Sequence, residues 1–466
     1  MPLFLASCFL FALFTSCAFS IEPKLPKFAP LDFKLPKAKR TELSNKTVIY
    51  TLEDRTLPII RISVFIKGGS IYDPKDKIGL SSIFASAWTR SGTKHLKADD
   101  LTRELELMGS SISASEKEES INVYLFTLKE NLDKTLALFS QWFVSPVFEN
   151  KKIDIEKNKV LENIRRRNDE PMTIARREIA RAVYGKDSPW GRRTEIETIK
   201  AIKRKDLFEM HKNFIAPERA ILAISGDFDT IKLLQKLEKK LGSLKWKNSA
   251  KPLPVINTVI NKNTKRVIFI EKTSTEQTAI RMANFGIKRS SKDHFRFSMM
   301  NEIFGGGYSS RLFTRIRSRQ GLAYYCVSGF TQPADFGLFV TAIGTKNQTV
   351  IKTINAVLEE IKEIQESQVS SQEMEIAKNQ LTAHFIQEFS TPISIARKRA
   401  LVEFYDYPDG WLDAYVSNIA AVTKTDVLKA ANKYLDPENM TTLIVGNPDK
   451  SEGNLDSLGS IEKIKP

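Results

Sequence analysis

Two stretches of the sequence, DLFEMHKNFIAPERAILAISG at residues 206–226 and DVLKAANKYLDPENMTTLIVG at residues 426–446, align without a gap at a constant offset of 220 residues. Each stretch has apolar residues at helical spacing, then a proline, then an apolar run that ends at glycine. That order is typical of a helix, a turn and a buried strand. The matched pairs include Asp206 with Asp426, Phe214 with Tyr434, Pro217 with Pro437, Glu218 with Glu438, Ile224 with Ile444, and Gly226 with Gly446. The chain is therefore predicted to contain one structural unit twice.

The segments that precede each copy also follow one order: a strand, a helix, a hairpin-like pair of strands and two helices. The first unit begins at LPIIRISVFIKGGS, residues 57–70, whose alternation predicts a strand with one buried face. The residues predicted to face away from the core are Arg61, Ser63, Phe65 and Lys67. The second unit begins near KRVIFIEK, residues 265–272. We predict an α+β fold with domains at residues 45–245 and 263–450, a linker at 246–262 and a tail at 451–466.

The first 21 residues are almost wholly apolar, and the first charged side chain is that of Glu22. This pattern predicts a secretory signal peptide at residues 1–20, followed by a Pro- and Lys-rich tether at 21–44. Three outcomes stay open: cleavage after Ala18-Phe19-Ser20, lipid attachment at Cys17 within the lipobox-like LFTSC, or an uncleaved membrane anchor. We expect an exported protein, either periplasmic or an outer-membrane lipoprotein of a bacterium, with its N-terminus as the point of any membrane attachment.

The composition is that of a soluble globular protein, with 42% hydrophobic and 27% charged residues among 466. The formal net charge is +16, which favours acidic peptides, anionic lipid or nucleic acid as partners. Charges of both signs are interspersed, however, as in NIRRRNDEP at residues 163–171, and no nucleic-acid-binding motif is found. We expect no nucleic-acid partner. Only Cys8, Cys17 and Cys326 are present, which excludes a disulfide framework.

The second half contains FGGGYSSRLFTRIRSRQGLAYYCVSGF at residues 304–330, in which Arg317 and Tyr324 stand seven residues apart. A guanidinium group can hold a peptide carbonyl or carboxylate with two hydrogen bonds, and a phenol can donate to a developing oxyanion. The alternative is structural: Arg317 caps the C-terminus of its helix and Tyr324 packs at the start of a strand. The glycine triplet Gly305, Gly306 and Gly307 would let a backbone approach an extended peptide, or mark a turn.

The first half contains GLSSIFASAWTRSGT at residues 79–93, which predicts the start of an amphipathic helix. No glutamate occurs between Glu53 and Glu104, and the first histidine of the chain is His95, so this helix offers no metal ligand of either type. The other histidines are far apart in sequence and are predicted to be structural: His211, His294 and His384.

With these motifs in place, the chain resembles the pitrilysin and insulinase family of inverted zinc metallopeptidases, with the two-domain arrangement of the mitochondrial processing peptidase, over residues 45–450. The resemblance implies two homologous α/β-sandwich domains that form a clam-shell. Catalytic members carry His-x-x-Glu-His on the helix after the first strand. Here the corresponding positions are Ser82, Ala85 and Ser86, and the third ligand would fall near Asp154. Because zinc needs three protein ligands, the resemblance implies no zinc in this chain.

The resemblance also implies that Arg317 and Tyr324 belong to the substrate-binding motif of the family. The leading hypothesis is a zinc-deficient subunit of an exported two-chain peptidase, in which a partner supplies zinc and Arg317 and Tyr324 act on the peptide substrate. The first alternative is a stand-alone peptide-binding or scaffold protein of the same fold. A second is a hydrolase that uses the thiol of Cys326, which has no histidine nearby in sequence.

Overall fold

The computed structural model describes residues 33–242, 252–256 and 265–465. The strands of the first half are β1 (Lys39–Glu42), β2 (Val48–Glu53), β3 (Ile59–Lys67), β4 (Ser111–Glu116), β5 (Ser120–Leu128) and β6 (Ala220–Gly226). Its helices are α1 (Leu80–Thr89), α2 (Ala98–Leu107), α3 (Leu132–Val144), α4 (Asn150–Arg166), α5 (Pro171–Tyr184), α6 (Ile196–Ala201), α7 (Arg204–Phe214), α8 (Thr230–Leu237) and the π-helix π1 (Glu238–Gly242).

The second half repeats this order of elements. Its strands are β7 (Arg266–Glu271), β8 (Gln277–Phe285), β9 (Ala323–Phe330), β10 (Leu338–Lys346), β11 (Thr441–Gly446) and β12 (Ile461–Lys463). Its helices are α9 (His294–Asn301), π2 (Glu302–Gly306), π3 (Leu312–Arg319), α10 (Val350–Glu366), α11 (Ser371–Gln387), α12 (Pro392–Phe404), α13 (Tyr415–Ala421) and α14 (Lys424–Tyr434).

Each half builds one six-stranded mixed sheet, and five strands of each sheet follow the same order. The first sheet is β1-β2-β6-β3-β5-β4 and the second is β12-β7-β11-β8-β10-β9. The edge strands differ, because β1 precedes the repeat and runs antiparallel to β2, whereas β12 follows it and runs parallel to β7. In both sheets the strand at the end of the repeat, β6 or β11, runs parallel to one neighbour and antiparallel to the other. The predicted α+β fold, with its unit present twice, is confirmed.

The repeated aspartate has a local structural reason. Asp206 Oδ2 accepts a hydrogen bond of 2.7 Å from the backbone N–H of Lys203, and Asp426 Oδ2 accepts one of 3.0 Å from Thr423. Each carboxylate lies in the first turn of its helix, α7 or α14, where an acidic residue satisfies an unpaired amide and complements the helix dipole. The helix, turn and strand predicted from the repeat are thus formed in both copies.

The two halves exchange one helix each. α5 of the first half packs on the second sheet, with Ile174, Ile179 and Val183 against apolar residues of β7, β8 and β11. α12 of the second half packs on the first sheet, with Ala396, Ala400 and Phe404 against residues of β3 and β6. This exchange joins the halves in one compact unit that begins at Leu35.

The exchange corrects the prediction that β3 has one buried face. Ser63 and Phe65 are buried, because α12 covers the face that was expected to contact solvent. The Phe65 ring lies 6.0 Å from that of Phe404, measured between centroids. Since the covering helix is more than 300 residues away in sequence, alternation within β3 could not reveal it.

Both ends of the described chain add an edge strand. Residues 39–42 of the predicted tether form β1, where Arg40 makes two hydrogen bonds, of 2.8 and 2.7 Å, to the carboxylate of Glu403. Residues 461–463 of the predicted tail form β12. The predicted signal peptide at 1–20 and the lipidation candidate Cys17 lie outside the described residues. None of the helices in the described part combines the length and apolar character needed to span a membrane.

Candidate functional site

At the start of α1, backbone N–H groups donate hydrogen bonds to the buried carboxylate of Asp73. Gly79 adopts φ 99° and turns the chain into the helix, and its N–H donates to Asp73 Oδ2 at 2.8 Å. Ser81 N–H donates to Asp73 Oδ1 at 2.9 Å. A carboxylate at this position neutralises the positive end of the helix dipole. Burial raises the pKa of Asp73, and these hydrogen bonds oppose that shift.

The positions of the lost metal ligands lie on this helix. Ser82 and Ser86 are half-buried, and Ala85 is buried. Neither hydroxyl-bearing nor methyl side chains are among the ligands that zinc takes in proteins. The helix is held instead by its apolar face, where the Trp88 and Trp142 rings stack with centroids 4.7 Å apart and each indole N–H donates to the other residue's carbonyl.

The predicted third position, Asp154, lies on α4 and is exposed. The buried carboxylate of α4 is that of Glu156, which is 7% exposed. Its Oε1 is bound by Arg90 at 2.7 Å, just beyond the end of α1, and by Lys159 at 2.8 Å. Two cations therefore already neutralise it. In the described ranges no group of three or more His, Cys, Asp or Glu side chains is placed to hold a metal ion. The residues present do not fit zinc.

Arg317 and Tyr324 are brought together in the second half, on π3 and β9. Arg317 Nε donates to the backbone oxygen of Tyr324 at 2.7 Å, and the guanidinium carbon lies 4.5 Å from the centroid of the Phe313 ring. Both residues are exposed, Tyr324 to 49%. Arg317 lies in the last turn of π3, as the structural alternative requires, but its hydrogen bond goes to a strand carbonyl, and the Tyr324 side chain is about half exposed rather than packed away.

Sequence reasoning missed two aromatic residues beside this pair. Tyr308 is 82% exposed, and its ring lies perpendicular to that of Phe313 with centroids 5.1 Å apart. The Arg317 guanidinium lies over the Phe313 ring. We call Tyr308, Phe313, Arg317 and Tyr324 the aromatic surface. The sequence does contain aromatic and basic residues at short intervals between 308 and 324. Their proximity in space could not be predicted, because it depends on the packing of π3 against β9.

The glycine triplet has a packing role. A Cβ at Gly305 would lie 2.5 Å from Ser328 Oγ and 2.6 Å from Ser328 N, so only glycine lets π2 approach β9 this closely. A Cβ at Gly306 would lie 2.6 Å from Glu302 Oε2, and one at Gly307 would lie 3.1 Å from Glu302 Oε1. Gly306 and Gly307 thus make room for a buried carboxylate, while the predicted contact of this triplet with peptide stays a prediction.

Among the remaining titratable candidates, His211 and Cys326 are buried, His294 is half-buried and His384 is exposed. Burial lowers the pKa of His211 to about 4, and its Nε2 lies 2.8 Å from the carbonyl oxygen of Phe143. Burial lowers the pKa of His294 to about 4 as well, and Gln332 Nε2 lies 2.7 Å from its Nδ1. Burial raises the pKa of the Cys326 thiol to about 12, which leaves almost no thiolate near neutral pH. A cysteine hydrolase is therefore not supported.

Within the described residues, no hydrogen bond or ion pair joins Arg317 or Tyr324 to α1. The halves meet next to this pair through Tyr325, whose hydroxyl lies 2.9 Å from Met172 Sδ of α5. The exchanged helix thus reaches the strand that carries Tyr324.

Two family models match the chain. The model described as insulinase (Peptidase family M16) matches residues 48–192, and the model described as Peptidase M16 inactive domain matches residues 201–381. Together they span the α1 region and the aromatic surface.

Several curated proteins are similar over most of this chain. An uncharacterised zinc protease of Bacillus subtilis is 22% identical over 407 residues, which cover 87% of this chain and 98% of that protein. A non-peptidase homolog of Helicobacter pylori is 27% identical over 336 residues, which cover 71% and 76%. The mitochondrial-processing peptidase subunit beta of Saccharomyces cerevisiae is 25% identical over 435 residues, which cover 89% and 92%.

Solved structures share the fold. A peptidase M16 inactive domain from Pseudomonas fluorescens superposes with a TM-score of 0.79 at 20% identity, covering 88% of this chain and 98% of its own. A protease from Helicobacter pylori superposes with a TM-score of 0.80 at 21% identity, covering 89% and 100%. With Ser82, Ala85 and Ser86 at the α1 positions, the match to the M16 inactive-domain model and the similarity to a non-peptidase homolog support a non-catalytic family member. The chain belongs to the insulinase family of peptidases, family M16, and the described part of its first half holds no zinc-binding triad.

Proposed function

We propose that this protein is the substrate-handling subunit of an exported two-chain peptidase, in which a second M16 protein carries zinc. The observation that carries the proposal is the combination, in one chain, of an α1 without metal ligands and an exposed Arg317–Tyr324 pair. Export is supported by the apolar residues 1–21. A mass measurement of the mature N-terminus would distinguish cleavage, lipidation at Cys17 and retention of the segment.

β9 offers a place for an extended peptide. It is the outermost strand of the second sheet in the described chain, and such an edge can pair with another strand, although the Tyr324 backbone oxygen already accepts from Arg317 and π2 lies close to Ser328 N. Tyr324 and Val327 project from it with 49% and 39% exposure. A peptide that adds to this edge would lie beside the aromatic surface, where aromatic rings and a guanidinium group can bind it.

The chemistry of the pair suits peptide positioning. Arg317 donates a hydrogen bond through Nε, and neither of its Nη atoms has a hydrogen-bond partner among the described residues. Both Nη atoms can therefore hold a substrate carbonyl or carboxylate. The Tyr324 hydroxyl can donate to the oxygen that gains charge at the scissile carbonyl. The zinc of the partner would supply the activated water. This chain would contribute binding and charge stabilisation but no base or nucleophile.

The test is hydrolysis of a fluorogenic peptide by the full chain, by a zinc-motif M16 protein from the same source, and by their mixture. We expect only the mixture to cleave efficiently. Arg317→Ala and Tyr324→Ala should each lower kcat/KM of the mixture by about tenfold or more without preventing complex formation. Arg103→Ala, at an exposed position on α2 with a local ion pair to Asp100, is the control and should have no effect.

If the mixture is no faster than the zinc protein alone and no complex forms in sedimentation, the two-chain proposal fails. Binding of the same peptides to the chain alone, weakened by Arg317→Ala, would then assign the stand-alone peptide-binding role.

A further inference from the structure

A second cleft, apart from the aromatic surface, lies between π2, π3 and α11 and has a volume of about 340 Å³. Its wall includes Ile303, Ile376 and Ala377 together with the polar side chains of Ser309 and Gln380. This volume is in the range of sites that hold small molecules. Arg317 and Tyr324 do not line it, so its function does not depend on the function proposed above.

One wall carries a buried carboxylate without a partner. Glu302 is only 6% exposed, and its Oε1 is buried with no hydrogen-bond partner. The carboxylate lies beside Gly306 and Gly307. Burial raises the pKa of Glu302, and His384 partly offsets the shift. An unsatisfied buried acceptor is costly, so a donor from outside the protein, a water or a ligand, is expected at Glu302.

Arg311 lies on the same cleft, is 5% exposed and has a hydrogen-bond donor that lacks an acceptor. Its Nε donates to Glu373 Oε1 at 2.7 Å and its Nη2 donates to Glu373 Oε2 at 3.3 Å, and this two-point ion pair fixes the guanidinium against α11. Its Nη1, however, is buried without a hydrogen-bond partner, since the nearest carboxylate oxygen, on Glu363, is 3.6 Å away. That separation permits attraction but is too long for a hydrogen bond.

Glu302 and Arg311 do not satisfy each other, because no ion pair within 4.0 Å joins them in the described structure. Among its buried polar atoms the cleft has one acceptor, Glu302 Oε1, and one donor, Arg311 Nη1, without a hydrogen-bond partner, and Arg315, Arg319 and Glu373 also line it. A simple anion would be repelled by the Glu302 carboxylate. A simple cation would leave Arg311 Nη1 without a hydrogen-bond partner. A metal ion is not favoured, because the described residues provide no cluster of three ligands here.

We propose that this cleft binds a small zwitterion, an amino acid or a dipeptide, with its ammonium group on Glu302 and its carboxylate on Arg311. The ligand supplies the donor and the acceptor that the two walls lack. Ile303, Ile376 and Ala377 give the space between them an apolar side against which a short side chain packs.

The test is calorimetric titration of the full chain with alanyl-alanine, alanine, N-acetyl-alanyl-alanine and alanyl-alanine amide. Alanyl-alanine or alanine should bind saturably. The acetylated peptide, which lacks the ammonium group, and the amide, which lacks the carboxylate, should each bind about tenfold more weakly or not at all. Binding should lower the pKa of Glu302, because the ligand ammonium favours its ionised form.

Two variants and a control separate binding from folding. Glu302→Gln keeps the shape of the side chain and should weaken alanyl-alanine binding by about tenfold or more. Gln380→Trp fills the cleft and should abolish binding without touching Glu302. Glu375→Gln, at an exposed position of α11, should leave affinity within about twofold of the parent. Thermal unfolding of each variant confirms that the protein tested is folded.

The proposal is wrong if neither zwitterion saturates below about 10 mM. It is also wrong if the acetylated peptide binds as tightly as alanyl-alanine, or if Glu302→Gln retains full affinity in a folded protein.

Discussion

In the first half α1 packs against α4, and in the second half π2 packs against α11 at the equivalent place in the repeated fold. Each of these interfaces contains one buried carboxylate. In the first half Glu156 is bound by Arg90 and Lys159, and α1 also packs on α3 through the stacked rings of Trp88 and Trp142. In the second half Glu302 has an oxygen without a partner and lines a cleft. Duplication has kept the backbone arrangement, while a few side chains decide whether the interface is sealed or open.

The largest expected effect lies in the first half, where α1 packs on α3. Trp88→Ala removes a fully buried ring, its stack on Trp142 and a reciprocal pair of hydrogen bonds. It should lower the free energy of unfolding by about 3–5 kcal/mol, as large aromatic truncations in cores do. Tyr308→Ala, at the 82% exposed position near the open side, is the control and should change it by less than about 0.5 kcal/mol. Similar denaturation midpoints for both variants would contradict the distinction.

The second prediction concerns pH. The folded-state pKa of His211 is lowered to about 4, below the ordinary value of 6.5, so the unfolded state binds the proton more readily. The stability that neutral His211 provides is fully present above pH 6.5 and is lost as the pH falls towards 4. The loss is at most about 3 kcal/mol.

Denaturation curves between pH 7 and 4 would measure this loss. His211→Phe should show a shallower fall in stability over that range, because the ring contacts with Trp88 are kept but the titrating group is gone. His384→Phe, at the exposed histidine of α11, serves as the control. Parallel curves for the parent and His211→Phe would mean that this site does not titrate as the structure requires.

The smallest effect is expected where π2 meets β9. Gly305→Ala places a methyl group 2.5 Å from Ser328 Oγ and should cost about 1–3 kcal/mol, because backbone and side chain must move apart. Gly329→Ala makes the same change on β9 at a position with no heavy atom within 4 Å, and it should be nearly neutral. Equal effects of the two substitutions would show that π2 is not held as closely as described.

Much of the fold could be predicted from the sequence because the repeat is local. The Asp206 and Asp426 pair marks the same helix start in both copies, and the proline and glycine that follow mark the same turn and strand end. The burial of Phe65 could not be predicted, since the helix that covers it lies in the other half. The edge strand β1 was also missed, because a run rich in Pro and Lys gives no alternation by which to recognise its last residues as a strand.

The candidate site was predicted only in part. The spacing of Arg317 and Tyr324 led to a pair that the structure does bring together, and the absence of His and Glu from α1 followed from the sequence alone. Glu302 gave no signal, because one glutamate among helical residues looks like a solvated side chain until its burial is known. The third ligand was predicted near Asp154, whereas α4 leaves Asp154 in solvent and turns the neighbouring Glu156 inward.

The exchange of α5 and α12 bears on how such a chain could be divided. A break in the segment between π1 and β7 would give two fragments, each with one apolar helix that fits only the sheet of the other. Neither fragment could cover its own sheet, so both should aggregate alone and recover the native fold when mixed. A gene encoding a single unit could use the same geometry by donating its helix to a second copy of itself, and joining two such genes end to end would give the present arrangement without any new interface.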